Sequence, residues 1–326
     1  DDFFDLAVVD EGSMMPMYQL FMITPFLKEN KSQLLIGGDH RQLPPVQKYD
    51  WSEEKRKSIQ VHLPHLSSLD YFRYLKGEDV DGVYEDSPKS PSIDIPIVRL
   101  NKTYRCHSVV TDFLRDSVYM KDGISYYSEQ YDVLDESKVD SGVISQIVNP
   151  SSPISLIIHD DISSQQVNIP EKNVIDSVMS SVQDYSSGIV TPHNAQKGLL
   201  RVTCPDSTVD TVERFQGGEK DIMAVSTTVS DPDHLSKEED FILSENRLNV
   251  ALSRMKKKLI VIASRSIFEM VPSDIETYDE ARIWKSLYAS ADASGKPDWS
   301  GKVSDISDSG SNVGLDVYHI NSMKED

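Results

Sequence analysis

The chain has 326 residues, 38% of them hydrophobic, which is enough for more than one packed core. Acidic residues outnumber basic ones 53 to 33, a net charge of −20 that excludes long-range attraction of a polyanion and confines any nucleic-acid contact to a local groove. Two cysteines without ligand-like spacing argue against a disulfide framework or zinc site, and no apolar run approaches the roughly 18 residues of a membrane span, so a soluble, cytoplasmic protein without a membrane partner is expected.

Phe3 to Val9 is a short apolar run ending in Asp10 and Glu11, and Gln33 to Ile36 is a second ending in Gly37, Gly38 and Asp39. Both have the pattern of buried parallel strands, with a helix between them from Pro16 to Leu27. In an open α/β sheet, ligands sit beyond the carboxyl ends of the strands, where these acids fall. Two adjacent carboxylates suit phosphoryl transfer to water: Asp10 to hold Mg²⁺ and Glu11 to orient or deprotonate the attacking water. Alone, such a pair more often marks a solvated loop or a helix N-terminus. The stretch Gly37 to Pro45 adds glycines that let the backbone approach a nucleotide, Gly38 among them. Asp39 is suited to the Mg²⁺ shell and Gln42 to sensing a γ-phosphate. A tight turn ended by prolines would explain the glycines and prolines but not the polar residues.

Ser67 to Lys76 is expected to be helical, and the Asp, Glu, Ser and Pro rich segment 77–96 to be a linker or surface insertion. From residue 97 a second α/β pattern begins. Ser155 to Ile158, Gly188 to Thr191, Ile222 to Thr228 and Leu259 to Ala263 are strand-like, and Lys256 to Lys258 supply surface charge. The domains expected are thus 1–76, 97–270 and a C-terminal extension, 271–326. Within the extension Ala281 to Ser290 can be helical, and Ser300 to Asp326 is disordered by composition.

Asp10-Glu11, followed by Gly38-Asp39-His40-Arg41-Gln42-Leu43-Pro44-Pro45, resembles motifs II and III of superfamily-one helicases. The resemblance is to the branch of the nonsense-mediated-decay and Okazaki-fragment helicases. Leu100-Asn101-Lys102-Thr103-Tyr104-Arg105 is similar to motif IV, and Ile189-Val190-Thr191-Pro192 with Gln196 to the family's strand, proline and glutamine element. The stretch from Thr208 to Asp221 resembles motif V, and Arg247 to Arg254 resembles motif VI. The order and spacing from Asp10 to about Ser264 make coincidence a poor explanation.

The resemblance implies two RecA-like P-loop NTPase domains with parallel sheets, the first incomplete, closing on ATP and Mg²⁺ to move along single-stranded DNA or RNA in repair or RNA processing. Arg105, Arg247 and Arg254 would neutralise charge on the γ-phosphate. The last two are seven residues apart, a helical rotation of about 700° that puts them on one face. Glu219 would contact the ribose or complete the nucleotide site, with Gln196 nearby. Pro192, His193, Thr208 and Thr211 match positions along the polynucleotide track. No Gly-x-x-x-x-Gly-Lys-Ser/Thr loop occurs in the chain. An N-terminally truncated, AAA-type helicase fragment is therefore expected, with an upstream segment of the same protein supplying the Walker A loop. A non-catalytic remnant that binds a protein partner is the alternative.

Overall fold

The structure, a computed structural model, describes residues 4–29, 31–47, 49, 51, 54–84, 87–215, 218–291 and 295–322. The chain forms two compact units, Asp1–Arg99 and Leu100–Asp326.

In the first unit β1 (Leu6–Val9) pairs in parallel with β2 (Gln33–Ile36), with Val9 opposite Ile36. The connecting helix runs from Met17 to Ile23 and tightens into a 3₁₀ turn at Thr24–Phe26, where Pro25 has no amide to continue the ladder. Met17 and Leu20 pack on Val9, with Tyr71 and Phe72 of the helix Ser68–Lys76 beside them. The strands are not buried as expected, since Leu6, Val8 and Leu35 are 51%, 62% and 58% exposed. Side chains alternate between the faces of a strand, and these helices pack on the Val9 side.

Segment 77–96 is not a free linker. Val80 joins Leu63, Leu66 and Tyr74 in a small core, with Val83 and Tyr84 against it. Ile93 N donates to Leu75 O (2.8 Å), and Lys76 Nζ donates to Ile95 O (3.0 Å). The few apolar residues in this acidic stretch are enough to anchor it.

The second unit opens with a short parallel pair, β3 (Lys102–Thr103) and β4 (Tyr127–Ser128). Its main sheet comprises β5 (Ile154–His159), β6 (Ser187–Val190), β7 (Thr208–Asp210), β8 (Lys220–Ser226), β9 (Met255–Ser264), β10 (Trp299–Lys302) and β11 (Gly314–Ile320). The spatial order is β10-β11-β5-β9-β8-β6-β7, with β5 to β9 mutually parallel. Fully buried Ile157, Ile189, Ile222, Ile260 and Ile262 form the core with Val174 and Ile175 of the helix Ile169–Ser180. The fold is the mixed α/β class expected, with a mostly parallel sheet.

Two expectations fail here. Lys258 is not surface charge, because it is fully buried and donates to Ser152 O (2.7 Å), Ser155 Oγ (2.7 Å) and Asn149 O (3.3 Å). Burial pushes its ammonium well below the ordinary lysine range. The residues expected to be disordered from Ser300 onward include β11, which pairs antiparallel to β5 from Leu315↔His159 to Ile320↔Ile154. Leu315 and Val317 flank the polar Asp316 and enter the core, so strand periodicity overrides the Ser, Asp and Gly composition. Val317→Ala is expected to destabilise the protein by about 1–3 kcal/mol, lowering its melting temperature by about 2–4 °C per kcal/mol. An unchanged melt would place the tail outside the core.

Candidate functional site

In the first unit the turns that follow β1 and β2 lie against each other. Gly37 N donates to Val9 O and Gly12 N donates to Gly37 O, both at 2.8 Å. Asp10 Oδ1 accepts from Glu11 N (2.9 Å), and Glu11 takes a left-handed backbone with φ of 53°, uncommon for a residue with a side chain. A Cβ added to Gly38 would lie 2.9 Å from Gly12 N and 3.0 Å from Ser13 N, so only glycine fits this approach. Asp39 Oδ1 accepts from Arg41 N (2.9 Å), and Asp39 Oδ2 from Gln42 Nε2 (3.1 Å). The parallel pairing thus gathers Asp10, Glu11, Gly38, Asp39 and Gln42 in adjoining loops at one end of the strands.

The second unit has polar groups at both ends of its parallel strands. At the amino ends, Arg105 Nε lies 3.4 Å from Glu219 Oε2 and Lys256 Nζ 2.6 Å from Glu219 Oε1. The hydrogen bond from Lys256, helped by the charge of Arg105, holds the Glu219 carboxyl below its ordinary range. Arg254, 2% exposed, precedes β9 and accepts at its carbonyl from Lys220 N (3.1 Å). The structure therefore brings Arg105, Glu219 and Arg254 to the same end of the sheet, and adds Lys256, which sequence reasoning treated only as surface charge.

Arg247 does not join them. Its helix spans Glu245–Leu252 and ends in Ser253, so Arg254 lies off the helix and the shared face expected from the seven-residue spacing does not exist. Arg247 instead pairs with Glu213, stacks 4.0 Å over the Phe241 ring, and lines a small cavity with Pro192, Thr227 and Trp284. Gln196 is also displaced from its expected place near Glu219. It is fully buried, accepting from Asn168 N (2.9 Å) and donating to Asn168 O (3.2 Å) and Ser226 Oγ (3.3 Å). Ser226 ends β8 and Glu219 precedes its start, so about 20 Å of strand separates them.

Of the four strand-contact candidates, Pro192 and His193 follow β6 after Thr191, and Thr211 directly follows β7. His193 Nε2 lies 3.4 Å from Glu238 Oε2. Burial pushes the ring below the ordinary histidine range against the pull of that carboxylate, with His234 also lowering it. Thr211 is buried, and its amide donates to Asp210 Oδ1 (2.9 Å). Thr208 sits exposed at the opposite end of β7. Gln216 and Gly217, within the stretch that resembles motif V, lie outside the described residues. Sequence reasoning also missed a buried carboxylate at the carboxyl ends, Glu171. Its signal is the N-cap asparagine with glutamate three residues on, Asn168-Ile169-Pro170-Glu171, that opens the helix Ile169–Ser180.

These features define an α/β protein whose charged residues gather at the ends of parallel strands. A family profile described as AAA domain matches residues 88–266. The chain belongs to the AAA domain family. It is 26% identical over 297 residues to a protein of Methanocaldococcus jannaschii named as an ATP-dependent helicase, covering 86% of this chain and 38% of the relative. It is 27% identical over 290 residues to a Schizosaccharomyces pombe protein named DNA replication ATP-dependent helicase/nuclease, covering 81% of this chain and 19% of the relative. The chain thus spans well under half the length of these relatives. Among solved structures, an arterivirus helicase in complex with DNA aligns with a TM-score of 0.38 and 12% identity over 80% of this chain and 40% of that one.

Gly38→Ala is expected to cost about 1–3 kcal/mol in chemical denaturation, because the atoms a Cβ would meet are backbone nitrogens that cannot turn aside. An alanine variant as stable as the parent would show that the two turns are not in contact.

Proposed function

We propose that the chain is part of an ATP-driven helicase or translocase that couples ATP hydrolysis to movement on single-stranded DNA or RNA. The observation that carries this reading is the convergence of Asp10, Glu11, Asp39 and Gln42 beyond the carboxyl ends of two parallel strands, the position at which an open α/β sheet receives its ligand. The names of the relatives support the same reading.

The carboxylates of Asp10, Glu11 and Asp39 offer oxygen donors, which suit a hard cation such as Mg²⁺. Asp10 and Asp39 would hold the ion through its shell, and when bound it would neutralise charge on the phosphates. Asp39 orients Gln42 by accepting from its amide nitrogen, which leaves the Gln42 amide fixed relative to the carboxylates. Glu11, held beside Asp10 by its turn, is assigned the attacking water: its carboxylate accepts the proton as the water oxygen bonds to the γ-phosphorus and the bond from that phosphorus to the bridging oxygen breaks, releasing ADP. Arg105 and Arg254 are the cations assigned to the γ-phosphate, and Glu219 tethers Arg105. Arg247 and Gln196 are assigned structural roles instead. Pro192, His193 and Thr211 are assigned to the polynucleotide, and Thr208 is a weaker candidate at the other end of β7. A segment of the same protein carrying a Walker A loop would complete the phosphate site, and other protein partners are not assigned.

In the complete protein, Glu11→Gln is expected to keep ATP affinity while lowering turnover by at least about 100-fold, because the side-chain volume is conserved and only the base is lost. Steady-state phosphate release with equilibrium nucleotide binding measures both. Undiminished turnover would remove Glu11 from the chemistry.

A further inference from the structure

Glu171 is fully buried in the first turn of the helix Ile169–Ser180, and its two oxygens accept from residues far along the chain. Thr228 N donates to both oxygens (3.1 and 3.0 Å), Thr227 Oγ1 donates to Oε1 (3.0 Å) and Ser226 Oγ donates to Oε2. His159 Nε2, at the last residue of β5, shares a hydrogen bond with Oε1 at 3.1 Å. Glu171 therefore holds the turn after β8 in place, including Thr228, whose left-handed φ of 67° would not persist without such support.

The same network grips the segment after β6 at both its ends. Thr191 Oγ1 and Thr228 Oγ1 share a hydrogen bond of 2.8 Å, and Thr191 N donates to Asp210 O (3.3 Å). Five residues on, Gln196 is bound to Ser226 Oγ and to both main-chain groups of Asn168. Asn168 in turn accepts from Glu171 N (2.9 Å) and donates to Thr228 O (3.0 Å). Pro192 and His193 lie between these two anchors. A loop with both ends tied to one satisfied polar network has little freedom, and a ligand that binds it loses correspondingly little entropy.

We infer that Glu171 is a positioning residue for polynucleotide binding, acting through the Thr228–Thr191 and Ser226–Gln196 links to fix the Pro192–His193 segment against the strand. This inference rests on the reading of the chain as a nucleic-acid motor. Both carboxyl oxygens of Glu171 face donors, whereas a glutamine amide in its place would turn a donor toward them. Glu171→Gln leaves Pro192 and His193 chemically intact while releasing what holds them.

The test is fluorescence anisotropy of a labelled oligothymidylate with the parent protein and with Glu171→Gln, His193→Ala and the double variant, each at one salt concentration. Glu171→Gln and His193→Ala are each expected to weaken binding roughly tenfold, and the double variant no more than either single one, because both act through one segment. Should Glu171→Gln fail to fold by circular dichroism, Thr191→Val breaks the hydroxyl link alone and is expected to weaken binding roughly threefold with an unchanged melt. Parental affinity in the folded Glu171→Gln or Thr191→Val variant, or additive losses in the double variant, overturns the positioning role and leaves the proposed function standing. Absence of binding by the parent protein overturns both.

Discussion

Two strands paired in parallel must leave the sheet at the same end, and that constraint organises the first unit. With Val9 opposite Ile36, the residues that follow each strand emerge side by side, and their carboxylates gather whatever their distance in sequence. The approach is close enough that Gly12 and Gly37 exchange a main-chain hydrogen bond, and Gly38 packs where no side chain fits. Glycine here serves to bring main chains together and leaves the acidic side chains of the two loops side by side. The strain carried by Glu11 is offset by the bonds on either side, from its own amide to Asp10 and from Met14 N to its carbonyl.

In the second unit the same rule separates two kinds of residue along one sheet. Arg105 and Lys256 pair with Glu219 in partly exposed positions at the amino ends of β8 and β9, where the buried Arg254 precedes β9. Pro192, His193, Thr211 and Arg247 collect at the carboxyl ends, above a network in which Glu171 is satisfied by side-chain and main-chain donors. Burying a carboxyl group is costly unless it is hydrogen-bonded, and the hydroxyls, main-chain amide and imidazole around Glu171 supply those bonds.

Much of the fold was legible in the sequence where burial is continuous. Ser155 to Ile158, Ile222 to Thr228 and Leu259 to Ala263 read as strand-like and fall in β5, in and just after β8, and in β9, and the helix expected from Ser67 to Lys76 is found at Ser68–Lys76, capped by Ser67. Composition misled where a few apolar residues decide the outcome. Val80, Leu315 and Val317 each lie in polar surroundings, yet each enters a core. Geometry misled at the arginines, because a helical spacing was extended past Ser253, where the helix stops. The Glu171 network was out of reach for a different reason. Its partners lie 12, 55, 56 and 57 residues away, and local pattern carries no signal for contacts made only when the sheet is assembled.

The proposed function requires the loops after β1 and β2 to hold the metal of a nucleotide-hydrolysing centre. Fe²⁺ in place of Mg²⁺, with ascorbate and peroxide, generates hydroxyl radicals that cut the backbone next to the ion. In the complete protein with ATP present, cuts are expected within residues 10–12 and 37–39 and are expected to vanish with excess Mg²⁺. Cuts confined to other positions, or a pattern indifferent to ATP, would contradict the account.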